Sequence, residues 1–144
     1  MSTSYDSGVI LGVKLFEIGV EIENISIPYV VHNRKGIPTG IIDHDKSVKI
    51  TFQGKESIEK KVYSEVIEEL INVKKPLIFQ NISYDECDID NIIIGINIVN
   101  REYDDWNIVK EISIDDKVDF VKAELKNQFG VDVEPKLYYY FQVS

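Results

Sequence analysis

Two histidines, His32 and His44, and one cysteine, Cys87, are the side chains best suited to proton, metal or nucleophilic chemistry. His32 closes one apolar run, and Asp43-His44-Asp45 opens the next. If those runs pair as strands, the two imidazoles face each other at a loop mouth with carboxylates beside them. Such a set can hold a divalent ion or shuttle a proton. Arg34 and Lys35, between the turn residues of the same loop, add an option for a small anion or nucleotide. This gives one candidate ligand-binding set: His32, Arg34, Lys35, Asp43 and His44. The spacing is looser than that of the known helical or turn metal motifs. A polar loop collar explains the same residues, so no metal site is assigned.

The other candidates fail on chemistry. Thiolate reactivity needs positive neighbours or a helix N-terminus, and the sequence neighbours of Cys87 are Asp85, Glu86 and Asp88, so an inert thiol is expected. Counted from Asp85 as a calcium loop, the sixth position is Asp90 where glycine is required. The twelfth is Ile96 where a bidentate Glu is required. Gly12 and Gly95 sit inside apolar runs and belong to no phosphate-binding pattern; a bulge or a closely packed helix is the expected reason for each. No catalytic signature is left, so a non-enzyme without cofactor is the expectation.

The chain's charge is more informative. The formal net charge is −9, and it is concentrated. Residues 1–83 carry 11 acids against 10 bases, and residues 121–144 carry three of each. Residues 84–120 carry 11 acids against Arg101, Lys110 and Lys117 alone. Asymmetry of this kind speaks to partners rather than to fold. Direct nucleic-acid binding is disfavoured, because Lys and Arg are scattered among acids. A protein partner with a basic surface is favoured, met through Asp85, Glu86, Asp88, Asp90, Asp104 and Asp105. Trp106, Tyr138 and Tyr140 are the aromatic candidates for the same surface, the two tyrosines being placed on the outer face of the last strand. In size and charge the chain resembles bacterial immunity proteins and phage inhibitors of host defence, although it carries no motif of either. The expected role is therefore a protein-binding inhibitor. The alternatives are a small-molecule or nucleotide-binding protein working from the 32–45 loop, and a structural or assembly subunit. Homodimer formation through exposed strand edges is a further option.

These residues need elements to position them. The chain has 144 residues, of which 44% are hydrophobic and 28% charged, a composition that suits one globular domain over 1–144. Residues 1–7 are expected to be disordered. Ile and Val dominate the apolar set, while Ala appears once, which favours sheet over helix. Strands are expected at Val9–Phe16, Val20–Val31, Asp45–Phe52, Leu77–Ser83, Asn91–Val99, Trp106–Ile114 and Lys136–Val143. Pro28 should make the second half of Val20–Val31 an edge or a bend. Asn91–Val99 is apolar throughout and should be central. Ile58, Val62, Val66 and Leu70 recur every four residues, which predicts a helix over 57–73 capped by Ser57 and stopped by Pro76. A second helix is predicted over 115–129, with Asp115 or Asp116 as cap and Gly130 as stop. The pattern Val9-Ile-Leu-Gly-Val-Lys-Leu returns as Ile92-Ile-Ile-Gly-Ile-Asn-Ile, which suggests a duplicated ββαβ unit. The fold class is then α+β, a mostly antiparallel sheet with both helices on one face. No apolar run reaches the ~20 residues of a membrane span. The polar N-terminus lacks a signal-peptide layout, and the single cysteine suits a reducing compartment, so cytoplasm is the expected location.

Overall fold

Ile92, Ile93 and Ile94 all have zero exposure, so the strand that carries them must be covered on both faces. The computed structural model, which describes residues 5–83, 85–100 and 114–143, places it inside a sheet. In chain order the elements are β1 (Tyr5–Lys14), β2 (Glu21–His32), β3 (Pro38–Phe52), β4 (Lys55–Glu59), α1 (Ser64–Ile71), β5 (Ile78–Asn81), β6 (Ile92–Asn100), α2 (Asp115–Phe129) and β7 (Lys136–Val143). They form an antiparallel four-stranded sheet of order β5-β6-β1-β7 and a second, three-stranded one of order β2-β3-β4. The α+β class holds, with two sheets where the sequence reading has one. The four-stranded order reads the same when β1 is exchanged with β6 and β5 with β7.

Alternation along the strands divides the core. Leu11, Val13, Ile92 and Ile94 join Ile67 and Ile71 of α1, and Val121, Leu125 and Phe129 of α2, in one large cluster. Ile50 and Phe52 of β3 complete it, and the Phe52 and Phe129 rings meet edge to face at 5.9 Å. Ile10, Ile93 and Tyr140 form a smaller cluster on the opposite face. Gly12 and Gly95 stand opposite each other in the central β1–β6 pair. A Cβ on Gly12 would overlap the Ile94 carbonyl, and one on Gly95 the Leu11 carbonyl. Close approach of two strands, rather than a bulge or a packed helix, is what requires these glycines.

Several boundaries differ from expectation. β1 starts at Tyr5, where Tyr5 pairs with Val143, so residues 5–7 are strand rather than disordered lead. The helix predicted over 57–73 is confined to α1, because Ser57 belongs to β4 and pairs with Ile50. Gln53 and Gly54, with φ of 48° and 79°, make the tight hairpin turn that adds β4. Asn72 in the left-handed region ends α1 four residues before Pro76. α2 has the predicted bounds, but Asp115 and Asp116 lie in its first turn, where their charge complements the positive end of the helix dipole without a side-chain cap bond. The strand expected at 106–114 falls outside the described residues, apart from Ile114 just before α2. The side chain of Gln128 ties the two helix ends together. It accepts from the Lys74 amide at 2.9 Å and donates to the Lys74 carbonyl at 2.7 Å.

Candidate functional site

β2 and β3 continue well past the body of the protein. Ile50, Phe52 and Val20 at their root are buried, and β4 pairs with β3 only from Val48 to Phe52. Beyond the Ile25–Ser47 pair the two strands pair only with each other. Of residues 26–44 all are exposed except Val31, which is half-buried. At about 3.3 Å per residue, the stretch from Ile25 to His32 is an arm of about 23 Å. It turns at residues 33–37, where the Asn33 side chain accepts from the Lys35 and Ile37 amides at 2.9 and 3.0 Å. The Lys60–Asp45 ion pair, 2.8 Å, braces its root, and the hydrogen bond to Asp45 raises the Lys60 pKa.

The arm carries apolar side chains on both of its sides. Ile25, Ile27 and Tyr29 share one face with Ser47, Asp45 and Asp43, while Pro28 and Val30 share the other with His44 and Ile42. Ile41 and Ile42 are 60% and 64% exposed, and Ile37 at the tip is 53% exposed. A sheet that served only its own core would bury one face and wet the other. A two-stranded ribbon cannot bury either.

The five residues of the candidate ligand site all lie on this arm, but the register separates them. His32 stands opposite Pro38 and His44 opposite Pro28. Four residue steps along β2 therefore separate the two imidazole positions, about 13 Å, and they do not face each other across a mouth. The reason is that β3 starts at Pro38, seven residues before the expected Asp45, which turns the supposed loop into paired ribbon. Arg34 and Lys35 occupy the tip. Asp43 is held further back, accepting from the Tyr29 hydroxyl at 3.2 Å and from the His44 amide at 2.8 Å. That hydrogen bond to Asp43 raises the Tyr29 pKa. Among the described residues no group of three or more His, Cys, Asp or Glu could hold a metal ion. No helix among them is long and apolar enough to cross a membrane.

Of the acidic candidates, Asp85, Glu86, Asp88 and Asp90 lie in the loop between β5 and β6. Asp104, Asp105 and Trp106 lie outside the described residues. The loop is tightly built: the Asp85 carboxylate accepts from the Cys87 amide at 2.9 Å, and that of Asp88 from the Asn91 side chain at 2.8 Å. The Glu86 carbonyl accepts from the Ser64 amide at 2.9 Å and so caps α1. Asp85, Glu86 and Asp90 are exposed. The fold also brings Lys61 beside Cys87, a cation that no sequence neighbour supplies; the thiol and nearby Tyr63 raise the Lys61 pKa.

The tyrosines divide differently from expectation. Tyr140 is 5% exposed, because it stands opposite Gly8 and its ring fills space over Ile10 and Ile93. Tyr138 is half-buried against the same cluster, with the Lys14 ammonium 6.0 Å from its ring centre, and burial raises its pKa. The alternate residues Leu137, Tyr139 and Phe141 are the exposed ones, at 48%, 70% and 54%. Both sets of β7 are apolar or aromatic, so alternation alone could not tell which is outward. A groove of about 360 Å³ lies at the root of the arm, lined by Phe16, Ile22, Ile89 and Asp90 among others. Phe16 there is 72% exposed.

The chain matches no family model, no curated protein and no solved structure.

Proposed function

We propose that this chain is a non-enzymatic protein-binding domain that docks through its projecting arm and its acidic surface. The observation that carries the reading is the arm itself. Ile37, Ile41 and Ile42 contribute nothing to the core, and ordering their segment costs conformational entropy that an exposed ribbon does not recover. Large exposed apolar side chains gathered on one projecting segment suit an interaction surface. The acidic loop at 85–90, held rigid by its own hydrogen bonds, suits a partner with a basic surface. An enzyme that handles nucleic acid has such a surface, and blocking one is the inhibitory role this charge distribution favours.

The strand order supports a duplicated architecture as the scaffold of that role. β1 and β6 are related by the exchange that also relates β5 to β7, with Gly12 against Gly95 at the centre.

The test is capture from a lysate by the intact chain and by two variants. One has residues 26–46 replaced by Asn-Gly, and the other has Asp85, Asp88, Asp104 and Asp105 changed to Lys. Loss of a common captured protein with either folded variant is the expected result. Unchanged capture by both would dismiss the reading.

A further inference from the structure

From Ile25 to Ile42 there are 18 residues with two formal positive charges, Arg34 and Lys35, and no acid. The rest of the chain holds all 25 acids against 14 of the 16 bases. The arm's end is therefore apolar and cationic, and the rest of the chain carries a net excess of acid and one apolar groove. That groove combines the exposed Phe16 ring with Ile22 and Ile89, and Lys14 and Asp90 both line it, Lys14 turning its ammonium toward the Tyr138 ring. Ile22 lies on the same strand as the arm's outer part, in unbroken register with β3 up to Val30. Ten residues of extended chain separate Ile22 from His32, about 33 Å, so a molecule cannot place its own tip in its own groove.

We propose that the occupant of the groove is the arm tip of a second copy of this chain. Ile37 and Ile42 of one molecule lie against Phe16, Ile22 and Ile89 of the next, and Arg34 and Lys35 reach Glu86 and Asp90. The contact joins two different surfaces, so each molecule keeps a free tip or a free groove, and repetition gives a closed ring or an open filament. Contact through side chains, rather than added strands, follows from the edge. β2 is the open edge of its sheet, and Pro28 at its middle has no amide to donate. The proposal rests on the arm being a docking element, and it names the partner that this element meets.

Sedimentation velocity at low salt, over a range of concentrations, tests it with the full chain. Wild type should show concentration-dependent assembly. Arg34→Glu with Lys35→Glu disables the tip, and Phe16→Asp with Asp90→Lys disables the groove. Neither set removes a buried side chain, and circular dichroism verifies folding of both. Each variant alone should be monomeric, with association weakened about tenfold or more. An equimolar mixture should form dimers and nothing larger, because it contains one good tip and one good groove per pair. Assembly of the groove variant by itself would overturn the proposal in favour of a tip-to-tip contact. Monomeric wild type at all concentrations would overturn it also. Arm-dependent capture of a different protein in that case would leave the arm's docking role standing, and loss of that capture too would remove both.

Discussion

Replacing residues 26–46 by Asn-Gly, a pair suited to a two-residue hairpin turn, joins Ile25 to Ser47 and removes the arm. The body should stay folded with little change in stability. None of the removed side chains is buried; apart from half-buried Val31, the large apolar ones are 36% to 64% exposed. Full burial of an Ile side chain contributes about 1.5–3 kcal/mol, and the arm's contacts deliver only part of that, within the ribbon itself. Against it stands the entropy of ordering the segment, which leaves an isolated hairpin close to balance. The Lys60–Asp45 pair that is also lost is exposed, and such pairs contribute little. The net change should be within about 1 kcal/mol, a shift of about 4 °C or less in Tm. Ile50→Ala, at the arm's root but with zero exposure, is the control. It leaves a cavity in the main cluster and should cost about 2–5 kcal/mol. Thermal and urea unfolding followed by circular dichroism measure both. If arm removal lowers Tm as far as Ile50→Ala does, the arm is part of the folding unit and its exposed apolar residues need no partner to explain them.

Gly12→Ala and Gly95→Ala should each destabilise by about 1–3 kcal/mol or more in urea titrations, since the added methyl meets a backbone carbonyl and neither strand can yield without the other. Gln128→Ala should cost about 0.5–1.5 kcal/mol by the same measurement, from the loss of both bonds to Lys74. The pKa of Tyr138 is raised by burial, so the folded state holds its proton more tightly than the unfolded chain. The linked stability is complete below the ordinary tyrosine range and is lost as pH rises through the folded value. Tyr138→Phe should therefore flatten the decline of Tm above about pH 10 and leave Tm near neutrality little changed. Arg34→Glu should slow association between immobilised and free copies of the chain and reduce its salt dependence, while Ile42→Ser should speed their dissociation, both read by surface plasmon resonance.

What was legible in the sequence followed from local rules. The run Ile92–Ile94 could only be an inner strand, and zero exposure of all three agrees. Val118, Val121, Leu125 and Phe129, closed by Gly130, gave α2 its bounds, and Pro28 marked β2 as an edge. The four-residue spacing of Ile58, Val62, Val66 and Leu70 misled, because Ile58 belongs to a strand and is 50% exposed. Gln53-Gly54 was the signal for that strand, a residue pair able to take two positive φ angles in succession. The arm was hidden for a different reason. Ile37, Ile41 and Ile42 have the composition of core, and nothing local distinguishes an apolar residue that finds a core from one that is carried away from it. Of the candidate surface, Arg34 and Lys35 were correctly placed in a turn, while the distance between His32 and His44 depended on where β3 begins.

The open edge of β2 narrows what the arm can do. Twelve residues of edge strand would ordinarily invite another strand, and with it uncontrolled aggregation. Pro28 interrupts the row of donors at its middle, and Glu21 and Glu23 put charge at its root. Backbone pairing is thus discouraged along the same segment whose side chains stay bare. A segment that only needed to be soluble would have polar residues at 37, 41 and 42. One that only needed to aggregate would lack the proline. Retaining both features is consistent with recognition by side chains in a defined orientation, with Arg34 and Lys35 directing the approach and the isoleucines extending the lifetime of the contact.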